Sequence, residues 1–151
     1  ALIVIERETA LEDICETGTI INADISAELI VNLFYEGSPL HDGAVIVRGD
    51  KLYSAGCVLP LTQNKNLSKD LGTRHRAGIG ITENSDALVL VVSEETGIIS
   101  IAEDGKLDRF LDIKTVEKIL LNVYINKGTE KQVSGLKSAI NRLGRKKDVS
   151  E

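Results

Sequence analysis

Aromatic residues are nearly missing from this chain, which has three tyrosines, two phenylalanines and no tryptophan among 151 residues. A packed interior must therefore be filled by Ile, Leu, Val and Ala. A basic excess is missing too. With 18 Lys and Arg against 23 Asp and Glu, the net charge is −5 and the pI about 5.1. That balance excludes a general nucleic-acid-binding surface, which relies on clustered cations to neutralise phosphates. The short run Arg145, Lys146, Lys147 reads as a solvated tail. Cysteine is sparse: Cys15 and Cys57 lie far apart, with no signal peptide ahead of them. They read as reduced, buried thiols of a cytosolic protein, not as a disulfide framework. No run approaches the ~20 apolar residues that span a bilayer, so no membrane contact is expected from these residues themselves. Methionine is absent even at position 1, which predicts a piece of a longer protein and leaves room for an anchor ahead of Ala1.

Several familiar sites are also missing. There is no G-x-x-x-x-G-K-[ST] loop, and Gly78 and Gly80 lack the third glycine and the preceding strand of a dinucleotide fingerprint. Spaced Cys/His zinc ligands do not occur. Nothing around Cys57 marks it as a nucleophile, and a packed thiol is the simpler reading.

What is present is enough apolar content, 42%, to close one core. "ALIVIE" opens as a buried strand. Thr9 stands where it would cap a short helix in "TALEDICE", with acids in its first turn. "GTIINADIS" follows as a strand leading to a turn, and Ser26 caps "AELIVNLFY", whose Leu29, Ile30, Leu33 and Phe34 share one face. Gly37 and Pro39 end that helix. "AVIVR" and "KLYSAGCVLP" form a hairpin turning at Gly49-Asp50. A helix is expected over Thr73 to Ile81, then the apolar strand "ALVLVVS", a turn at "EETG", a strand "IISIA" and a turn at "EDG". Helices follow over "DIKTVEKILLNVYIN" and "TEKQVSGLKSAINRLG". The pattern predicts one α/β domain over residues 1–151 with a mixed sheet flanked by helices, and with C-terminal helices at about 112–144.

Three clusters carry chemistry. In "PLHDGAVIV", an Asp-Gly turn feeding a strand explains Asp42 and Gly43 but not His41. The alternative is a carboxylate at a strand mouth, beside a glycine that admits close backbone approach. Such a group can hold a metal or a sugar hydroxyl, or act as a general base. In "LGTRHRAGIGI", two arginines and a histidine crowd a helix start, where the helix dipole disfavours positive charge. Free N–H groups with Thr73 and two guanidiniums suit a polyphosphate, although ordinary salt bridges remain open. In "VVSEETG", Ser93, Glu94 and Glu95 follow the most apolar strand. Strand ends are where ligands bind in open α/β sheets, but a polar hairpin turn is the plain alternative.

Taken together, "PLHDGAVIV", "GCVLPL", "LGTRHRAGIGI" and "SDALVLVVSEETGIISIA" resemble the diadenylate cyclase (DAC) domain, across most of residues 37–102. The likeness is greatest to its membrane-anchored, CdaA-type branch. The resemblance implies a twisted mixed β-sheet flanked by helices. It also implies condensation of two ATP into cyclic di-AMP with release of two pyrophosphates, across a face-to-face, transient homodimer, with Mn²⁺, Mg²⁺ or Co²⁺. By the same resemblance Asp42 activates the ribose 3′-hydroxyl, and Gly43 and Ala44 let the nucleotide lie against the backbone. Thr73, Arg74, His75 and Arg76 bind the triphosphate, the last three counting with Asp42 as catalytic. Ser93 and Glu94 complete the nucleotide site, Leu59 lines the adenine pocket, and His41, Asp42 and Glu95 are candidate metal ligands. A full-length protein anchored at the inner face of the bacterial membrane is implied, with a regulator protein and phosphoglucosamine mutase as partners. Two departures stand out. Val58 replaces an aromatic residue that stacks on adenine in several relatives, and Gly78 stands where alanine is commoner and is expected to loosen the helix. A catalytically silent adenine-nucleotide sensor is the competing reading, as is a structural domain whose clusters are only turns and salt bridges.

Overall fold

The computed structural model describes residues 1–124 and 130–149. Its centre is one seven-stranded sheet built from β1 (Leu2–Glu6), β2 (Thr19–Asp24), β3 (Ala44–Arg48), β4 (Lys51–Cys57), β5 (Leu88–Val92), β6 (Ile99–Glu103) and β7 (Lys106–Asp108). The strand order is β2-β4-β3-β1-β5-β6-β7. Only the β1–β3 pair is parallel, with Ile3 opposite Val45, and every other pair is antiparallel. The expected α/β class and mixed sheet are borne out.

Side chains alternate across each strand, so both faces of the central strands are apolar. Ile3, Ile5, Val45, Val47, Leu88 and Leu90 face one layer of helices: α2 (Ala27–Leu33), α4 (Ile113–Val123) and α5 (Glu130–Val149). Leu2, Val4, Ala44, Ile46, Val89 and Val91 face α1 (Glu12–Cys15) and α3 (Thr73–Glu83). Each large aliphatic side chain buried this way contributes roughly 1.5–3 kcal/mol. Cys15 and Cys57 are both free and buried, and burial raises the Cys15 thiol to about 11 and pushes Cys57 up as well. Beside them Arg48 bridges Glu6 at 2.8 Å and Glu12 at 2.9 Å.

Ser26 caps α2 as expected, accepting from the Leu29 N–H at 3.1 Å. Thr9 caps nothing. The short helix starts at Glu12 behind Leu11, and the Glu8 and Thr9 N–H groups donate to the Asp86 carboxylate at 2.9 Å each. A carboxylate 77 residues away in sequence does what a local cap would have done. The "EDG" turn also has a returning strand that the sequence pattern did not reveal. Asp104 and Gly105 both take positive φ (52° and 76°), the geometry of a two-residue hairpin turn, and β7 pairs back on β6. Helix α3 runs two residues past Ile81, and α5 runs past Gly144 to Val149. The end of the expected helix over "DIKTVEKILLNVYIN" falls partly outside the described residues.

Gly78 does not loosen α3 against the sheet. A β-carbon there would sit 3.2 Å from Val89 Cγ1 and 3.3 Å from Val91 Cγ2, so the missing side chain lets the helix lie close on β5.

Candidate functional site

The start of α3 carries the site. Gly72 precedes it in extended backbone, no side chain caps it, and its first turn holds no acidic residue. The leading N–H groups therefore stay available to an anion. Only the Arg76 N–H is tied back, to the Gly72 carbonyl. The Arg74 side chain, 23% exposed, places Nη2 2.9 Å from Glu94 and 3.9 Å from Asp42. One guanidinium thus links all three sequence clusters, at the end of the sheet where β3 begins and β5 ends. Its Nε is buried and has no partner.

Asp42 sits at the mouth of β3 with its side chain 89% exposed, so the carboxylate faces outward. Gly43 next to it holds φ +141°, and a β-carbon there would come 2.8 Å from the Gly56 carbonyl carbon. No L side chain fits that backbone, which fixes where Asp42 points. His41 is half-buried and its Nδ1 lies 2.7 Å from the Ser38 carbonyl oxygen, leaving Nε2 for another partner. Ala44 is buried in the sheet.

At the end of β5, Ser93 Oγ accepts from the Glu95 and Thr96 N–H groups, each at 3.2 Å. A hydroxyl that accepts twice still has its own hydrogen to give. Glu94 is engaged with Arg74, while Glu95 is exposed. Thr73 is exposed at the helix start, and Arg76 is half-buried with Nη2 3.4 Å from the Ser68 carbonyl oxygen. Leu59 is buried beside the exposed Val58, whose N–H donates to Thr17 Oγ1 at 2.9 Å.

His75 points inward. It is 5% exposed, and neither ring nitrogen has a partner. Burial first, then the charge of Arg109 and of the chain's amino terminus, pushes its pKa down, so the imidazole is neutral at pH 7. Arg109 belongs to none of the sequence clusters. It reaches this place through the pairing of β7 on β6, which no local pattern announces.

The arrangement can hold a polyanion against cations and N–H groups, with an outward carboxylate beside it. Among the described residues no three carboxylate, imidazole or thiol side chains gather to cage an ion. His41, Asp42 and Glu95 therefore do not form a closed cation site of their own. The exposed Asp42 carboxylate fits a hard divalent cation that takes its remaining ligands from phosphates and water, and the Nε2 of His41 suits a transition-metal ion instead.

The chain can be set beside known proteins. The family model described as DAC, DisA bacterial checkpoint controller nucleotide-binding, matches residues 1–107. Cyclic di-AMP synthase CdaA of Bacillus subtilis is 48% identical over 120 residues, 80% of this chain and 44% of that protein. Diadenylate cyclase CdaS of Bacillus thuringiensis is 54% identical over 107 residues, 71% of this chain and 53% of that protein. The chain thus spans about half the length of these relatives. A crystal structure of a DacA double mutant from Staphylococcus aureus matches with a TM-score of 0.81 at 48% identity, covering 83% of this chain and 84% of that one. A Bacillus cereus structure described as a hypothetical membrane spanning protein matches at 0.71 and 52% identity, covering 74% of this chain and 55% of that one. A fold, a motif order and a family model that agree over residues 1–107 make this chain a member of the DAC family.

Proposed function

We propose that this chain is the catalytic portion of a diadenylate cyclase, joining two ATP molecules into cyclic di-AMP and releasing two pyrophosphates. The observation that carries the reading is the junction at Arg74. It draws an exposed carboxylate, an uncapped helix start and a strand-end carboxylate into one site, in a chain of the DAC family.

On this reading Thr73, Arg74 and Arg76, with the first N–H groups of α3, bind the triphosphate and offset the charge that gathers on the departing pyrophosphate. Ser93 donates its hydroxyl hydrogen to a phosphate oxygen. Glu94 orients Arg74. His75, neutral and buried, holds the first turn of α3 in place under the phosphates. Gly43 and Ala44 let the nucleotide lie against β3, and Leu59 packs on adenine. Asp42 accepts the 3′-hydroxyl proton as that oxygen bonds to the α-phosphorus of the other ATP and the bond to the leaving pyrophosphate oxygen breaks. A divalent cation held by Asp42, with His41 and Glu95 beside it, would acidify the hydroxyl and screen phosphate charge.

The exposure of Asp42 supports a two-chain reaction. A carboxylate facing outward serves a hydroxyl that arrives from outside, on the ATP of a second copy. If pairing is weak, the rate per enzyme rises with enzyme concentration over a hundredfold range. The length of the relatives, and a solved neighbour described as membrane spanning, support a longer protein anchored at the inner face of a bacterial membrane. Among the described residues no helix is long and apolar enough to cross one.

The test is incubation with ATP and Mn²⁺, Mg²⁺ or Co²⁺, followed by chromatography with mass detection. Cyclic di-AMP that disappears in Asp42→Asn supports the reading. ATP binding without product under all three metals favours a silent nucleotide sensor, and neither binding nor product overturns the nucleotide site.

A further inference from the structure

We propose that Arg109, on the connection between β7 and α4, is a further cation of the polyphosphate site. This rests on the reading of the α3 start as that site.

Its placement follows from the sheet. Asp108 pairs with Ile101, and beyond it the Leu111 N–H donates to the Ile99 carbonyl, so Arg109 stands alongside Ser100. Ser100 in turn pairs with Val91, and Val91 and Ala102 both line the face on which α3 lies at Gly78. Leu107, two residues before Arg109, packs into that same layer. Alternation along β7 puts Arg109 on the α3 side, at the strand-end level where Ser93 and Glu94 stand. One turn back from Gly78 along α3 is His75, whose imidazole feels the Arg109 charge.

The chemistry of the place calls for an anion. Arg109 is half-buried and, among the described residues, has no hydrogen bond or ion pair. Its one recorded contact is its guanidinium over the Phe110 ring, 4.9 Å from the centroid. A buried Nε–H without an acceptor is costly to leave unmet. The Ser100 hydroxyl and both ring nitrogens of His75 are likewise buried and unpartnered, as is Arg74 Nε. Five such atoms therefore collect around one helix start, and most of them are donors. Phe110 adds a second sign. It is largely exposed and held at φ +60°, a backbone that an aromatic residue rarely adopts. That bend ends the strand alternation right after Arg109 and lays the ring against its guanidinium. Arg74 is already paired with Glu94 and Asp42, whereas Arg109, like Arg76, meets no carboxylate among the described residues.

The experiment is calorimetric titration with inorganic tripolyphosphate, ATP and AMP, on the wild type and on Arg109→Met and Arg109→Lys, with thermal unfolding of each. Loss of one charge-assisted contact should weaken tripolyphosphate and ATP by about tenfold in Arg109→Met. AMP should change less than about twofold, and Arg109→Lys should recover most of the loss. Unchanged tripolyphosphate affinity in Arg109→Met overturns the proposal, as does an equal loss for AMP or a wild type that binds no tripolyphosphate. If Arg109→Met is too unstable to measure, Arg109→Lys and Arg109→Gln decide it by the same comparison. The cyclase reading fails separately. A wild type that binds tripolyphosphate through Arg109 but forms no cyclic di-AMP keeps this inference and sinks the reaction.

Discussion

The two faces of the sheet are built to different specifications. On the α2, α4 and α5 side, large aliphatic residues interlock. Ile30, Leu120, Leu136 and Ile140 are fully buried against Ile3, Val45 and Leu90. On the α1 and α3 side the residues are smaller, Ala44, Ala77, Ala87 and Ala102, and α3 lies close on the sheet because Gly78 has no side chain, while Gly80 admits the backbone of Pro60 and Leu61 on another face. Of seven buried polar side-chain atoms without partners among the described residues, five lie on the α3 side, and only Tyr124 Oη, at the C-cap of α4, and Gln132 Oε1, in α5, lie on the other. The first face has used up its interactions on itself. The second has kept hydrogen-bonding capacity in reserve, and that is where a ligand gains most. Close packing of small residues gives the reserve a rigid floor.

That division can be broken from either side. Leu136→Ala removes a fully buried side chain from the stable face and should cost about 2–5 kcal/mol, read by denaturant unfolding, while turnover per folded molecule stays unchanged. Asp42→Asn should do the reverse, lowering cyclic di-AMP formation at least about 100-fold with no shift in the unfolding midpoint, because the side chain is exposed. A drop in stability as large as that of Leu136→Ala would show that the site also carries structural weight.

Asp86 sharpens the comparison at smaller scale, since it belongs to the α1 and α3 side yet is fully engaged. Its bonds from the Thr9 and Glu8 N–H groups hold the carboxyl below its ordinary value of 3.8. A group depressed in the folded state stabilises above its unfolded pKa, and the contribution fades as pH falls through the folded value. Asp86→Asn should therefore cost roughly 1 kcal/mol at pH 7 and progressively less below pH 4, measured by urea unfolding across pH. The smallest effect is expected of Val58→Tyr. Val58 is 66% exposed beside Leu59, and a tyrosine face there should tighten ATP by a few-fold, about 1 kcal/mol at most. A matching gain for inorganic tripolyphosphate would show that the ring does not meet the base.

The strands of the centre were legible because each is an unbroken apolar run that only a doubly covered sheet can bury. β7 was not, since Lys106, Leu107 and Asp108 have no pattern and exist as a strand only by pairing with β6. The expected Thr9 cap fails for a related reason: the deciding acceptor, Asp86, comes from far along the chain. In the candidate site, Asp42, Arg74, Ser93 and Glu94 sit in short motifs, and the Arg74 guanidinium meets Asp42 and Glu94. Sequence could not say that Arg74 is the joint, that His75 turns inward, or that Arg109 arrives beside it. Each depends on which strands are neighbours.

The strand order has one more consequence. β2-β4-β3 and β5-β6-β7 are two antiparallel meanders of consecutive or nearly consecutive segments, and β1 alone joins them. Asp42 comes from the first meander, and Ser93, Glu94 and Arg109 from the second. Pairing Leu2 with Val91 closes a loop of most of the chain, the kind of distant contact that slows folding. Insertion of the first six residues is thus the event that brings the two halves of the site together. A chain that has folded both meanders but not yet seated β1 would have every motif and no assembled site.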